Sequence, residues 1–346
     1  MLRWRFHPRD ESAANLEMKM FGNYQSQASQ KFINRMCRPE TLRVIPDEVI
    51  EEAILRTVVY ADVFDYPLTI PEITRYLIGI SASSQRINGI LRHGPITRRA
   101  LISQGGFISL RWRQETIQTR RRREKVAANL WPKALRYGNL IANLPFVRMV
   151  AVTGALAVDN VEEHADLDYL IVTEPGRLWS CRALVIALVR WAARRGDIIC
   201  PNYFLSERAL IFTEHNLYTA HELVQMVPIA GWGTYQELRW LNTWTKDYLP
   251  NATGLSGRAM HAIQGNSHDQ PRPSSLRSIA EMSLRSPIAG WFERWEMNRK
   301  IEKFSHKDGG SLEVAFCADW CKGHFDGHGR QTLEAYAQRL EDLGLA

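Results

Sequence analysis

The spacing of apolar residues divides the chain into segments of different character. Ile50, Ala53, Ile54, Thr57 and Val58 repeat at helical spacing, which predicts a helix where clear patterning begins. In YPLTIPEITRYLIGI, Thr69 suits the N-cap of a second helix whose first turn holds Pro71 and Glu72. Proline tolerates the missing N–H there, and a carboxylate is favoured at the positive end of a helix. SSQRINGILRHG reads as a third short helix, opening near Ser83 or Ser84 and closing at Gly94. ITRRALISQGGFISLRWR then reads as two strands around Gly105-Gly106, a hairpin dipeptide. Gln114 to Leu144 is helical, with an interruption at Pro132.

From Val147 to Glu207 strand and helix alternate. RMVAVTG is a buried strand, ALAVDNVEEHA a short helix and loop, and DLDYLIVTE a second strand. RLWSCRALVIALVRWAARRG is a long helix stopped by Gly196, and NYFLSE is a third strand. The pattern predicts an α/β (α+β) domain with a small mixed sheet and flanking helices. Residues 208–250 read as mainly helical, with a capping signal near Thr219. The resulting division is an N-terminal extension without strong period over 1–46, a small unit over 47–113, the α/β domain over 114–250, a Gly-, Ser- and Pro-rich linker or exposed loop over 251–285, and a mainly helical C-terminal region over 286–346. Three helices followed by a hairpin, as in 47–113, resembles the order of a winged helix.

Composition narrows the class. Hydrophobic residues make up 45% and charged residues 23% of the 346, as in a globular protein. The formal net charge of +7 suits a polyanionic partner such as nucleic acid or a nucleoside triphosphate. Five scattered cysteines, Cys37, Cys181, Cys200, Cys317 and Cys321, argue against a disulfide framework and fit a reducing cytoplasm. The most apolar stretch, Leu178 to Ala193, is interrupted by Arg182 and Arg190, so no membrane span is expected.

The chemistry is concentrated in VTGALAVDNVEEHADLDYLIVTE. A strand ends in Gly154, and after an intervening helix and loop Asp166-Leu167-Asp168 opens the next strand. Residues i and i+2 on a strand face one side, so both carboxylates address one site. They repel each other unless a cation lies between them, and a hard divalent ion brings phosphates with it. Gly154 lets the backbone approach a phosphate, and N–H groups at the start of the following helix can bind its oxygens.

This segment resembles the signature of the DNA polymerase beta-like nucleotidyltransferase superfamily. The wider stretch, from AILRTVVYADVFDYPLT through PFVRMVAVTGALA to CPNYFLSE and LYTAHEL, resembles a family of uncharacterised bacterial nucleotidyltransferase-domain proteins. The resemblance implies a Mg²⁺- or Mn²⁺-dependent enzyme moving a nucleotidyl group, AMP in the first instance, from an NTP to an acceptor. It implies that Gly154 and Ala155 contact phosphate, and that Asp166 and Asp168 hold the metal and carry catalysis. Two positions depart from the signature. Ala155 stands where Gly or Ser is usual, and Asn202 stands where a third carboxylate is usual. Asn202 can ligate through its carbonyl but is a poor base. Asp197, Glu207 and Glu222 are the alternative third acids.

Other signals are weaker. Cys317, Cys321, His324 and His328 are zinc-competent, but their spacing is not that of a finger. A local turn at Lys322, Gly323 and His324, with Cys317 and Trp320 in the core, is the simpler reading. The run Arg120-Arg121-Arg122-Arg123 reads as a solvated helix face, with phosphate contact as the sharper alternative. Lys133 and Arg148 read as surface cations, His221 as a packing residue, and the pairs Trp240/Trp244 and Trp291/Trp295 as helix faces in the core. The competing function is a nucleotide-binding regulator whose 47–113 unit contacts DNA or a protein partner through Arg86, Arg98, Arg99, Arg111 and Arg113.

Overall fold

The structure is a computed structural model that describes residues 45–257, 259, 275–305, 314–323 and 328–345; the 1–46 extension lies almost wholly outside the described residues, as does His324. The described chain is a mixed α/β protein built on a small sheet with flanking helices.

The first helices close as their caps require. Helix α1 spans Asp47–Asp62 and α2 spans Ile70–Arg75. Thr69 caps α2, accepting from the Glu72 backbone while Glu72 bonds back to Thr69, a reciprocal capping box. Helix α3, Ser84–His93, is capped by Ser83 and ends at Gly94. A further turn of helix, α4 over Pro95–Ala100, occupies residues expected to begin the hairpin; Pro95 at its first position favours helix. The hairpin itself forms from β1, Leu101–Gln104, and β2, Phe107–Leu110, around Gly105 and Gly106.

Helix α5 runs unbroken from Thr116 to Ala142 with Pro132 inside it, so the expected interruption does not occur. The sheet follows. Strands β3 (Val147–Val152), β4 (Leu167–Thr173) and β5 (Ile199–Ser206) form its centre, linked by the single-turn helix α6 (Gly154–Ala157) and by α7 (Leu178–Ala193). After helix α8 (Leu217–Gln225), strand β6 (Val227–Ala230) adds to β3 in a region expected to be helical. Helices α9 (Trp232–Leu241) and α10 (Thr245–Tyr248) complete that layer. Helix α11 (Ser275–Ser283) lies within the segment read as linker, and α12 covers Pro287–Ser305. The C-terminal region is not wholly helical: β7 (Val314–Phe316) and β8 (Trp320–Gly323) precede the last helix, α13 (His328–Asp342). The sheet order is β6-β3-β4-β5-β8-β7, with β4 and β5 parallel and the other pairs antiparallel.

Both faces of this sheet are buried. Val150, Val152, Tyr169, Ile171 and Phe204 pack with Trp131, Tyr137 and Trp179 from α5 and α7. Met149, Ala151, Leu170, Val172 and Leu205 point the other way, onto Leu223 of α8 and Tyr235 and Leu238 of α9. Helix α7 has no local side-chain cap, and Glu293 of α12 supplies one, accepting from the Trp179 and Ser180 backbones at 2.7 Å each.

The arginine run is a solvated face only in part: Arg121 and Arg122 are exposed, while Arg120 and Arg123 turn inward. Arg120 is 4% exposed. Its guanidinium donates to the Pro67 carbonyl at 2.8 Å and to both Glu72 oxygens, and lies 3.9 Å from the Tyr66 ring centroid. Burial raises the Glu72 carboxyl, but Arg120 with hydrogen bonds from Thr69 and Tyr66 outweighs it and leaves the carboxyl below its usual range. Arg123 pairs with Glu162 and donates to the Phe64 carbonyl. Arg75 caps the carbonyls of Val224, Thr253, Gly254 and Leu255. The 47–113 segment is thereby bonded to the sheet-bearing part at several points. Of the basic residues considered for DNA, Arg86 pairs with Asp47, Arg111 caps carbonyls of its own hairpin base, and Arg113 pairs with Asp62, Asp65 and Glu115. Arg98 and Arg99 remain exposed.

The tryptophan pairs also depart from the core reading. Trp240 is 73% exposed, and Trp291 and Trp295 stack on each other at the surface. Cys317 is exposed while Cys321 is buried in β8. Lys322 and Gly323 belong to that strand rather than to a turn.

Removing Arg120 strands Glu72 in a buried position. Arg120→Ala is expected to cost about 3–5 kcal/mol in urea unfolding. A cost below about 1 kcal/mol would show that the Arg120–Glu72 pair contributes little to holding the 47–113 segment in place.

Candidate functional site

The end of β3 and the beginning of β4 lie side by side because the two strands are antiparallel, with Val152 opposite Tyr169 and the Thr153 N–H donating to the Asp168 carbonyl. Gly154 therefore sits beside Asp168. Its φ is +64°, and a Cβ built there would lie 2.5 Å from Asp168 Oδ2. Two constraints select glycine at this position: left-handed backbone and the carboxylate pressed against it. The neighbouring Thr153 hydroxyl is buried with no partner among the described residues.

Asp168 shares the pleat direction of Leu170 and Val172 and so faces the layer formed by α8 and α9. Asp166 stands just before the strand and is exposed. On β5, paired parallel to β4, Cys200 lies opposite Asp168. Asp166, Asp168 and Cys200 each offer a ligand atom, and these atoms all lie within 4.8 Å of one another. Cys200 did not stand out in the sequence because a lone cysteine in a strand resembles any core residue; only the register with Asp168 reveals it.

Asn202 enters the site in a different role from the one expected. Its amide Nδ2 donates to Asp168 Oδ1 at 2.6 Å, and its Oδ1 accepts from the Cys200 thiol at 2.7 Å. The carbonyl is engaged with the thiol, so Asn202 orients Asp168 rather than acting as the third oxygen ligand. The three candidate acids separate. Asp197 is bound by Lys133 at 2.7 Å and by the Tyr137 hydroxyl at 2.6 Å, contacts that hold its carboxyl low. Glu207 follows the far end of β5 and lies 4.0 Å from Arg148, at the opposite edge of the sheet from Asp168. Arg148 is further committed to Glu174 and Glu281. Glu222 alone of the three lines the same cavity as Gly154 and Ala155.

That cavity, about 200 Å³, lies between α1 and α8. Tyr60, Phe64, Tyr76 and Tyr218 contribute to its walls. His221 stacks on Tyr60 with centroids 4.2 Å apart and bonds through Nδ1 to the Leu217 carbonyl. Among the described residues no hydrogen bond or ion pair reaches the Glu222 carboxylate; Lys322, the cation whose charge it feels, is bonded to Glu214 at 2.8 Å.

Electrostatically the site is an excess of negative charge. Burial, then the charge of Asp166 with a further contribution from Glu222, pushes the Asp168 carboxyl up to about 8 against the opposing bonds from Asn202 and Cys200. Burial pushes Glu222 up to about 7, with Lys322 pulling it down. The Cys200 thiol is raised by burial and by both aspartates, so it is held as a thiol. Carboxyls raised in this way beside one another call for a positive charge among them.

No known family model, curated protein or solved structure matches the chain. The function is therefore argued from the site alone. No helix among the described residues is long and apolar enough to cross a membrane.

Burial pushes His221 down to about 4 from 6.5. A depressed histidine contributes stability that is complete above pH 6.5 and is lost as pH falls towards 4, because the unfolded chain binds the proton first. Urea unfolding at pH 7.5 and 5 should show the native chain losing about 1–3 kcal/mol more than His221→Phe over this interval. Equal losses would place the titrating group elsewhere.

Proposed function

We propose that the protein is a nucleotidyltransferase whose site is formed by Gly154, Asp166 and Asp168. The observation that carries this reading is the approach of Gly154 to Asp168, with Asp166 beside it, at one end of a sheet buried on both faces. Together with the strand–Gly–helix–Asp-Leu-Asp–strand order, this supports a nucleotidyltransferase-type fold for the sheet-bearing part and a winged-helix-like arrangement for 47–113. Two carboxylates in one cluster are oxygen donors suited to Mg²⁺ or Mn²⁺. The raised Asp168 carboxyl and the orphan Thr153 hydroxyl next to Gly154 both fit a site completed by a charged ligand. When bound, a divalent ion supplies charge neutralisation at the phosphates and orients them for in-line displacement.

The chain's own residues then have defined roles. Asp166 and Asp168 would hold the ion, and Asn202 fixes the Asp168 carboxylate. Gly154 and Ala155, which line the cavity with at most a methyl side chain, would offer their backbone N–H groups to phosphate oxygens. Helix α6 is one turn long, so a helix dipole contributes little. In the reaction, an acceptor oxygen attacks the α-phosphorus of the NTP, and a new P–O bond forms. The bond to the bridging oxygen breaks with its electron pair, releasing pyrophosphate, and the acceptor proton passes to a site carboxylate and on to solvent.

One observation favours a second reading. The usual third-carboxylate position holds Asn202, and the third member of the cluster is the Cys200 thiol, which when protonated neither binds Mg²⁺ well nor acts as a base. Slow turnover, with the protein acting as a nucleotide-binding regulator, follows from that substitution. Contact of the 47–113 segment with DNA is less favoured, since Arg86, Arg111 and Arg113 are engaged internally.

Calorimetry with each NTP, with and without Mg²⁺, tests the site. Mg²⁺-dependent binding by the native chain, weakened at least about 100-fold in Asp166→Asn/Asp168→Asn, is the expected result. Binding of no NTP under any metal condition would overturn both readings.

A further inference from the structure

The cavity between α1 and α8 contains chemistry that nucleotide binding leaves unused. Its walls are mostly apolar and aromatic, with Tyr60 and Phe64 on one side and Tyr218 on the other. Among the described residues, Glu222 is the single acidic residue in its lining, and no lysine or arginine joins it. The Glu222 carboxylate has no hydrogen-bond or ion-pair partner among the described residues, while Lys322 is taken by Glu214. Asp168 lies close enough to feel the charge of Glu222, which helps to raise the Asp168 carboxyl.

We infer that this cavity binds a small organic cation, an ammonium group seated among the aromatic side chains against Glu222, and that it is the acceptor side of the site. An unpaired, half-buried carboxylate is costly, and a charged donor offsets that cost better than a neutral one. Aromatic side chains favour an ammonium without requiring it to be strongly hydrated. Phosphate is repelled by the same field, so the triphosphate belongs at Gly154 and the two aspartates rather than in the cavity. A nucleobase would gain stacking, but its N–H groups are neutral donors and leave most of the Glu222 charge uncompensated. Because Gly154 and Ala155 line the cavity's other end, a hydroxyl carried by the bound cation is brought next to the phosphate-binding backbone. The acceptor is thus an amino alcohol or a larger molecule presenting one. The acceptor role rests on the nucleotidyl-transfer reading; cation binding by the cavity does not.

Calorimetry on the full chain with choline and with 3,3-dimethylbutan-1-ol, its neutral isostere, separates charge from shape. Choline is expected to bind at least about tenfold more tightly than the isostere. Glu222→Gln should weaken choline by a similar factor without lowering the urea midpoint, since it removes an uncompensated charge, and without abolishing Mg²⁺-dependent NTP binding. Tyr218→Leu, which keeps the carboxylate but removes an aromatic wall, should weaken choline as well. Equal binding of the two probes, no binding of choline, or choline binding untouched by Glu222→Gln overturns the inference. Loss of NTP binding in Glu222→Gln with choline unaffected would assign the cavity to the nucleobase instead. Charge-dependent choline binding in a chain that binds no NTP would preserve the cation site and remove the nucleotidyl-transfer reading.

Discussion

The pleat of β4 is the constraint from which the site follows. Both faces of the sheet are buried, so alternate residues of β4 must enter one core or the other: Tyr169 and Ile171 on one side, Leu170 and Val172 on the other. The same two-residue period directs Asp168 into the layer of α8 and α9, where a carboxylate is poorly solvated. A one-residue slip would turn Asp168 towards α5 and α7 and expose every apolar side chain of the strand's wrong face. Register thus fixes the carboxylate's direction as firmly as it fixes the core. The raised Asp168 carboxyl is the electrostatic cost of that placement, and the hydrogen bonds from Asn202 and Cys200 offset part of it.

The walls of the site come from distant parts of the chain. Helix α1 is held at the cavity by Tyr60 stacked on His221, and the join is reinforced where Arg120 of α5 binds the Pro67 carbonyl and Glu72 and where Arg75 ties α2 to the end of α8. The Tyr66 hydroxyl reinforces this join by donating to the Val158 carbonyl, just beyond α6. Charged groups that look like surface decoration in the sequence therefore shape the candidate acceptor pocket. Glu293, from α12, holds the N-terminal end of α7 in a comparable way.

Locally encoded features were legible in the sequence. Thr69, Ser83, Gly94, Gly105 and Gly106 act within a few residues of themselves, and each terminates or turns the chain where its chemistry implies. Helix α7 was legible from Leu178 to Ala193 because its length and composition leave no strand alternative. The Asp166/Asp168 pair was legible because strand period places i and i+2 together. Strands β6, β7 and β8 were not, being three or four residues long and defined by pairing with β3 and β5 rather than by any period of their own. Pro132 failed to break α5 because tertiary packing on both sides, through Trp131 and Ala134, outweighs one lost backbone bond. The place of Cys200 beside Asp168, and the lack of a partner for Glu222 among the described residues, are properties of register and of neighbours far apart in sequence, which no window of residues contains. The inward turn of Arg120 and Arg123 was hidden for the same reason, since their carboxylate partners Glu72 and Glu162 lie about 40 to 50 residues away.

The central claim is that Asp166 and Asp168 form one divalent-cation site that becomes complete with a triphosphate. Electron paramagnetic resonance of Mn²⁺ titrated into the full chain, with and without a non-hydrolysable ATP analogue, measures this directly, because bound and free Mn²⁺ give separate signals. The account predicts at least one Mn²⁺ per chain whose affinity rises at least about tenfold with the analogue and is lost in Asp168→Asn. Mn²⁺ affinity that is independent of the analogue, or unchanged by Asp168→Asn, would contradict it.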